Sequence, residues 1–253
     1  MSKAQYIETF DNGHGGWTGQ GRQHQEMRAL ELGPSSVVAR SPFMLDSNHA
    51  PPGPGYLQIL FILLTAYDKQ SFDLYSPFSG INRFVEGNYP TDFTNAKLTL
   101  RLRGEFRERG ARLVLLVQSK FEDYHRAHML TGHPFEVKPQ WSEQSVTLPT
   151  DPDQWTPLSG RWDRPMYRAG PISQVLRDVN VDIILVTYPV EVVPTTSLTL
   201  TPELVYSYGS SKAKRSALDP KHVLWADLEY PVDATRLPDG WIELDEVRVD
   251  FAG

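Results

Sequence analysis

The chain has 253 residues, of which 40% are hydrophobic and 22% are charged, a balance that is typical of a folded globular protein and excludes general disorder. Its formal net charge is −6, and because no basic stripe recurs along it, nucleic acid is not expected as a partner. The sequence contains no cysteine, which excludes disulfides, a thiol nucleophile and thiolate metal sites.

The start of the chain, MSKAQYIETF, lacks a positively charged segment followed by an apolar one, so no signal peptide is expected. The longest apolar run, Tyr56–Leu64, is much shorter than the roughly 20 residues that a membrane helix needs. It predicts a core strand and no membrane partner. We expect an intracellular (cytoplasmic) protein, or one whose export signal lies outside this sequence.

Short runs of β-branched, leucine and aromatic residues alternate with turn residues, and most of the 20 prolines and 18 glycines fall between these runs. This pattern predicts a mostly β protein. We expect strands, in chain order, at residues 5–10, 36–40, 56–65, 71–75, 96–104, 112–119, 142–147, 181–186, 198–200, 204–208 and 241–251.

Three of these segments predict how the strands are covered. ARLVLLVQSK and VDIILVTYPV are apolar on both faces through their middles, which is typical of strands with a covering layer on each side. KLTLRLRG instead alternates, with leucines on one face and charged residues and a threonine on the other. That strand is expected to face water on one side.

One helix is predicted in GPISQVLRDVN, where Ile172, Val175, Leu176 and Val179 share one helical face and Pro171 suits the first turn. We expect it to cap the sheets. An all-β sandwich of this length commonly forms one domain. The fold prediction is therefore an all-β, two-sheet jelly-roll sandwich with one or two short helices, in a single domain spanning residues 1–253.

The two ends of the chain, YIETFDNGHGGWTG and WIELDEVRVDF, and the central segments FTNAKLTLRLRGEFRERGARLVLLVQSK and QWSEQSVTLPTDPDQWTPL carry a family resemblance. The chain resembles carbohydrate-binding jelly rolls of the galactose-binding-like type. In that family an early strand ends in an acid before a Gly/Asp-rich turn and a Trp, and the last strand carries an acidic pair. The resemblance implies a jelly-roll fold and a glycan or oligosaccharide as ligand.

A carboxylate falls in the apolar phase of each end strand: Glu8 shares a face with Tyr6, and Asp245 with Val247. Buried carboxylates need partners, and calcium accepts several oxygen ligands. The resemblance implies a structural calcium that joins the two strands, bound by Glu8 and Asp245, with Asp11 as a further candidate ligand. The alternative is that each acid pairs with a nearby arginine or lies at a strand end.

His49 precedes a stiff loop of three prolines and two glycines at the mouth of the strand 56–65. Such a loop can hold a binding or catalytic side chain in place, with Asp46 or Asn48 orienting the ring. On this hypothesis His49 lines a pocket at the rim of the sandwich with some of Arg83, Gln118, Tyr124 and Trp162. The alternative is a turn histidine bonded to the backbone of its own loop.

The segment KFEDYHRAHMLTGH carries three histidines, two acids and a tyrosine. His125 and His128 stand three apart, which would bring them together on a helical turn and makes a transition-metal site conceivable. A solvated loop is the simpler interpretation. Together with His49, the residues Tyr124 and His125 are the candidates for proton transfer.

The segment SGRWDRPMYRAG combines Trp162 and Tyr167 with arginines that include Arg164. Aromatic faces stack on sugar rings, and guanidinium groups bond hydroxyls or carboxylates. We expect Trp162, Arg164 and Tyr167 to bind ligand, the alternative being that Trp162 folds back over the core.

No recognised catalytic motif is present. The first functional hypothesis is therefore a non-catalytic glycan-binding sandwich with an aromatic, arginine and histidine surface. The alternative is a carbohydrate-active enzyme on the same fold, a polysaccharide lyase or glycoside hydrolase that uses His and Tyr for proton transfer. A third possibility is a structural assembly subunit, since a fold does not choose among these functions.

Overall fold

The computed structural model describes residues 4–20, 27–46, 48–50, 53–159, 167–193 and 233–252. In these residues the predicted all-β, two-sheet sandwich is confirmed, with two antiparallel sheets of six and eight strands. The same described residues contain three α-helices, where one or two short helices were expected. None of the described helices is long and apolar enough to cross a membrane.

The strands are β1 (Gln5–Glu8), β2 (Trp17–Gln20), β3 (Met27–Arg28), β4 (Glu31–Gly33), β5 (Ser36–Arg40), β6 (Met44–Asp46), β7 (Tyr56–Leu64), β8 (Lys97–Arg107), β9 (Arg112–Phe121), β10 (Tyr124–Met129), β11 (Ser142–Thr147), β12 (Thr156–Leu158), β13 (Asp182–Val190) and β14 (Asp239–Asp250). The helices are α1 (Lys69–Ser79), α2 (Arg83–Glu86) and α3 (Ile172–Arg177). Short 3-10 turns span Pro152–Gln154 and Ala234–Arg236.

The six-stranded sheet has the order β11-β8-β14-β5-β4, and β1 also pairs with β14. The eight-stranded sheet has the order β12-β10-β9-β13-β7-β2-β3, and β6 also pairs with β7. The expected proximity of the first and last strands is confirmed by the register of β1 and β14, in which Gln5 lies opposite Asp250 and Glu8 opposite Val247.

The inner core lies between the two sheets. The leucines of β8 that alternate with charged residues are buried there, as their spacing predicts, against Leu113 and Leu115 of β9. Helix α3 confirms the predicted helix, and its residues Ile172, Val175 and Leu176 are buried in the same core. The side chain of Arg101, on the opposite face of β8, is exposed to solvent.

A second apolar layer covers the outer face of the eight-stranded sheet. It contains alternate residues of β9 and β13, among them Val114, Leu116 and Ile184, and Tyr75 and Phe78 of α1 pack against it. This outer layer explains why both strands are apolar on both faces.

Two of the secondary-structure predictions are wrong. The predicted strand 71–75 is the middle of α1, whose first turn is capped by Asp68: its carboxylate accepts hydrogen bonds from the Ser71 backbone N–H and hydroxyl, both at 2.9 Å. The expected solvated loop after Phe121 contains β10, which pairs along β9. The predicted strands 198–200 and 204–208 lie outside the described residues.

Candidate functional site

Polar side chains interrupt the apolar outer layer of the eight-stranded sheet where β9 ends and β10 and β13 begin. Gln118 of β9 lies opposite Asp182 of β13 on one side and opposite Ala127 of β10 on the other. His125, two residues before Ala127, therefore shares this outer face. We call Asp46, His49, Gln118, Tyr167 and Asp182 the buried polar cluster.

His49 lies inside the protein, with 1% of its surface exposed. Its Nδ1 is 3.4 Å from the carbonyl oxygen of Ser159, and its Nε2 is 3.7 Å from Oδ2 of Asp46. The expectation of a rim position is therefore wrong, because the loop folds the ring inward. Its alternative, a ring bonded to the backbone of its own loop, is also wrong, since Ser159 belongs to a distant segment.

The Pro/Gly loop closes tightly around the backbone of His49. The Gly55 N–H donates to the His49 carbonyl oxygen at 2.8 Å, and the Gly53 N–H donates to Ala50 at 2.9 Å. A Cβ atom at Gly53 would lie 2.7 Å from the His49 carbonyl oxygen. The glycine is therefore needed for this close approach, which fixes the backbone of His49.

Tyr167 connects three of the residues singled out in the sequence. Its ring meets the His49 ring edge-on, with a centroid distance of 4.4 Å, and lies 5.6 Å from the His125 ring. Burial raises the pKa of the Tyr167 hydroxyl, and the nearby carboxyls of Asp46 and Asp182 raise it further. The side chain of Gln118 lies close enough to the Tyr167 hydroxyl to oppose this rise in its pKa.

Asp182 belongs to the cluster but was not singled out in the sequence. It is 5% exposed, and burial raises the pKa of its carboxyl to about 8. Burial, and next the Asp182 charge, also raise the pKa of Tyr75 on α1. The available signal is a lone acid at the start of the apolar run VDIILVTYPV, but only the strand register places it opposite Gln118.

A half-buried aromatic and arginine surface, in which Arg168 is exposed, adjoins this cluster. The Arg168 guanidinium carbon lies 3.1 Å from the ring centroid of Tyr124, and that of Arg126 lies 4.6 Å from the Phe121 centroid. The Arg168 backbone N–H donates to the His125 carbonyl oxygen at 2.9 Å. We call Phe121, Tyr124, Arg126 and Arg168 the hairpin surface, because three of them flank the β9–β10 turn.

His125 and His128 do not form the pair that a helical turn would give. They lie on strand β10, where residues three apart point to opposite faces. His128 lies opposite Val117 of the inner core, and burial lowers its pKa to about 4. Burial, and next the charge of Lys120, lower the pKa of His125.

Three predicted ligand-binding residues lie away from the cluster or outside the described residues. The guanidinium of Arg83 binds the Glu8 carboxylate and the Asn12 carbonyl oxygen, so Arg83 does not join His49 as expected. Trp162 and Arg164 lie outside the described residues.

The proposed calcium ligands each have a partner within the protein. Besides Arg83, Glu8 is bound by the Phe10 N–H, which donates to its Oε1 at 2.9 Å. Asp11 accepts a hydrogen bond from the Thr9 hydroxyl at 2.6 Å. Burial raises the pKa of Glu8, and its Oε2 has no hydrogen-bond partner among the described residues.

Asp245 does not share the inner face with Val247, contrary to the alternation expected from sequence. A bulge between Leu244 and Glu246 leaves it as an extra residue in β14, where it pairs with Arg101. Glu8 and Asp245 therefore each pair with an arginine, as the alternative interpretation expects, and a shared calcium site stays a prediction. In the described part of the chain, no group of three or more acidic or histidine side chains is arranged to hold a metal ion.

Comparison with known proteins returns no matching family model, no matching curated protein and no matching solved structure. The resemblance to galactose-binding-like modules therefore stays a prediction.

Proposed function

We propose that the protein binds a glycan through the hairpin surface. The observation that carries this proposal is the stacking of Arg168 on Tyr124, 3.1 Å from the ring centroid. Arg168 is exposed, and among the described residues it has no carboxylate partner within ion-pair distance. Within the described part of the chain, its N–H groups are therefore available to an external acceptor.

The chemistry of this surface suits a sugar ring. Aromatic and guanidinium planes both offer flat faces to the C–H side of a sugar, and guanidinium donors bond its hydroxyl or carboxylate oxygens. The second pair, Arg126 on Phe121, lies on the same hairpin. Because Tyr167 contacts His125 behind this surface, the buried polar cluster supports it from within.

A comparable cluster on the other sheet is a weaker candidate. Arg101 and Arg103 lie over the Trp141 ring, with distances of 5.1 and 4.5 Å to its centroid. Both guanidinium groups are already paired, with Asp245 and Glu243 respectively. Their donors are therefore partly used within the protein, which makes Trp141 a suitable control.

The experiment is a glycan-array measurement with neutral and acidic oligosaccharides, followed by product analysis of each glycan that binds. Binding without new reducing ends or unsaturated products supports the glycan-binding function. Absence of binding across the array would contradict it and favour the assembly subunit.

A carbohydrate-active enzyme, either lyase or hydrolase, is the second candidate, and the contact between His49 and Tyr167 favours it. Burial lowers the pKa of His49, although Asp46 opposes this shift, so the neutral ring that can accept a proton predominates at neutral pH. A neutral histidine whose ring contacts a tyrosine ring supplies the two kinds of proton-transfer group that this mechanism needs. Turnover of a bound glycan that is lost in His49→Gln would support the enzyme.

A further inference from the structure

Two buried oxygen atoms of the polar cluster lack a hydrogen-bond donor. Asp182 Oδ1 and Gln118 Oε1 are both buried, and neither has a partner among the described residues. The two residues lie directly opposite each other on β13 and β9, a position that brings Cβ atoms to about 5 Å. Two facing acceptors without a donor are costly in a buried site.

We propose that Asp182 keeps its proton in the folded protein and donates it to Gln118 Oε1. One proton then satisfies both oxygen atoms, and the Gln118 amide nitrogen remains free to donate to the Tyr167 oxygen. The result is a hydrogen-bonded chain from Asp182 through Gln118 to Tyr167, in which Asp182 is a positioning residue. Loss of the proton to a solvent base breaks the first bond of this chain.

The surroundings of Asp182 favour its neutral form. Tyr75 faces it from α1 and Tyr167 from the segment after residue 166, and both are neutral at physiological pH. Tyr167 in turn contacts the rings of His49 and His125. His49 lies next to the Asp46 carboxylate. Among the described residues no cation pairs with Asp182, and burial raises its pKa to about 8.

The hydrogen-bonded chain ends next to the hairpin surface. Tyr167 forms a backbone bridge with His125, and the following residue, Arg168, donates its N–H to the His125 carbonyl oxygen. When Asp182 ionises, the Gln118 amide turns its nitrogen toward the carboxylate and no longer donates to the Tyr167 oxygen, and we expect this change to shift the segment that holds Arg168 against Tyr124. Ionisation of Asp182 should weaken ligand binding at the hairpin surface, a consequence that rests on the proposed glycan-binding function.

A rotated Gln118 amide is the competing arrangement. With its nitrogen and oxygen exchanged, Gln118 would accept from the Tyr167 hydroxyl and donate to an ionised Asp182. Asp182 would then carry no proton at neutral pH. The two arrangements differ in the protonation of one carboxyl group, which can be measured without any ligand.

The test is an infrared difference measurement between the wild type and Asp182→Asn, an isosteric neutral variant. We expect the wild type at pH 7 to show the carbonyl band of a protonated carboxyl group that the variant lacks, and this band to disappear as the pH rises through about 8. An absent band at pH 7 would overturn the proposal. If the variant does not fold, a carboxyl carbon NMR titration of the wild type gives the same decision.

The second measurement follows glycan affinity with pH. If only the protonated form binds, affinity should fall about tenfold between pH 7 and pH 9 in the wild type and stay constant in Asp182→Asn. A protonated carboxyl band with pH-independent affinity would overturn the link to the hairpin surface. If no glycan binds at all, the proposed function fails, while the infrared result still decides where the proton lies.

Discussion

Asp182 and Gln118 lie directly opposite each other on neighbouring antiparallel strands, and each places on the outer face of the sheet a buried oxygen that has no hydrogen-bond partner among the described residues. The residues in the middle of both strands on this face, among them Val114, Leu116 and Ile184, are apolar. Both side chains affect the pKa of the Tyr167 hydroxyl. Tyr167 in turn contacts His125, next to the hairpin surface.

The raised pKa of Asp182 makes stability depend on pH. The folded carboxyl has a pKa of about 8 against an ordinary value of 3.8, so the folded state binds more protons between these limits. Its contribution is complete below about pH 4 and is lost as the pH rises toward 8, by up to about 1.4 kcal/mol per pH unit. Urea unfolding at pH 5 and pH 8 should show a smaller loss in Asp182→Asn than in the wild type. Equal losses would contradict the shift.

His49→Ala should destabilise the protein, because the ring is buried against Tyr167 and bonded to Ser159. A cavity and an unpaired carbonyl oxygen together cost about 2 kcal/mol. The matched control is His133→Ala, an exposed histidine, which should change the free energy of unfolding by less than about 0.5 kcal/mol. Similar effects of the two variants would argue against a buried His49.

His128 should make the protein less stable in acid. Burial lowers its folded pKa to about 4 from an ordinary value of 6.5, so the unfolded state binds more protons between these limits. The stability contributed by the neutral ring is complete above about pH 6.5 and is lost as the pH falls toward 4. His128→Gln should reduce the difference in Tm between pH 6.5 and pH 4.5, whereas His133→Gln serves as the control. An unchanged difference would contradict burial as the cause.

Neutralising Glu8 and neutralising Asp245 should lower the free energy of unfolding by different amounts, because the two ion pairs with arginine differ in burial. Glu8→Gln leaves Arg83 without its buried partner and should cost about 3 kcal/mol. Asp245→Asn breaks a pair in which the Arg101 side chain is 44% exposed, so it should cost less than about 1 kcal/mol.

A chelator tests the predicted calcium ion in the same experiment. With arginine as the partner of each acid, Tm should not change when the chelator is added. A drop in Tm that calcium restores would support the calcium prediction instead, because a ligand that binds only the folded state raises Tm.

The sandwich could be predicted because its strands carry strong patterns. The alternating leucines of β8 and the apolar runs of β9 and β13 indicate which faces are covered. Helix α1 was missed because Phe72, Leu74 and Tyr75 are also typical of strands. The residue that indicates a helix start is Asp68, whose side chain accepts a hydrogen bond from the N–H of Ser71, three residues later.

The candidate site could be predicted only in part. Of the residues predicted to bind ligand, His49, Gln118 and Tyr167 belong to one cluster, whereas Arg83 pairs with Glu8 elsewhere. Asp182 could not be placed without the pairing of β9 with β13, since register determines which residues face each other. The bulge at Asp245 likewise leaves no clear alternation signal, and it reverses the expected face of that side chain.

Glycan binding at the hairpin surface is tested most directly by the affinities of Tyr124→Ala and Arg168→Ala, measured against Trp141→Ala with one glycan that binds the wild type. Circular dichroism and Tm of each variant confirm that the fold is retained. Losing a stacking aromatic or its arginine should weaken binding at least tenfold, whereas Trp141→Ala should leave affinity within about twofold of the wild type. Unchanged affinity in both hairpin variants, with binding lost in Trp141→Ala, would contradict the proposed site.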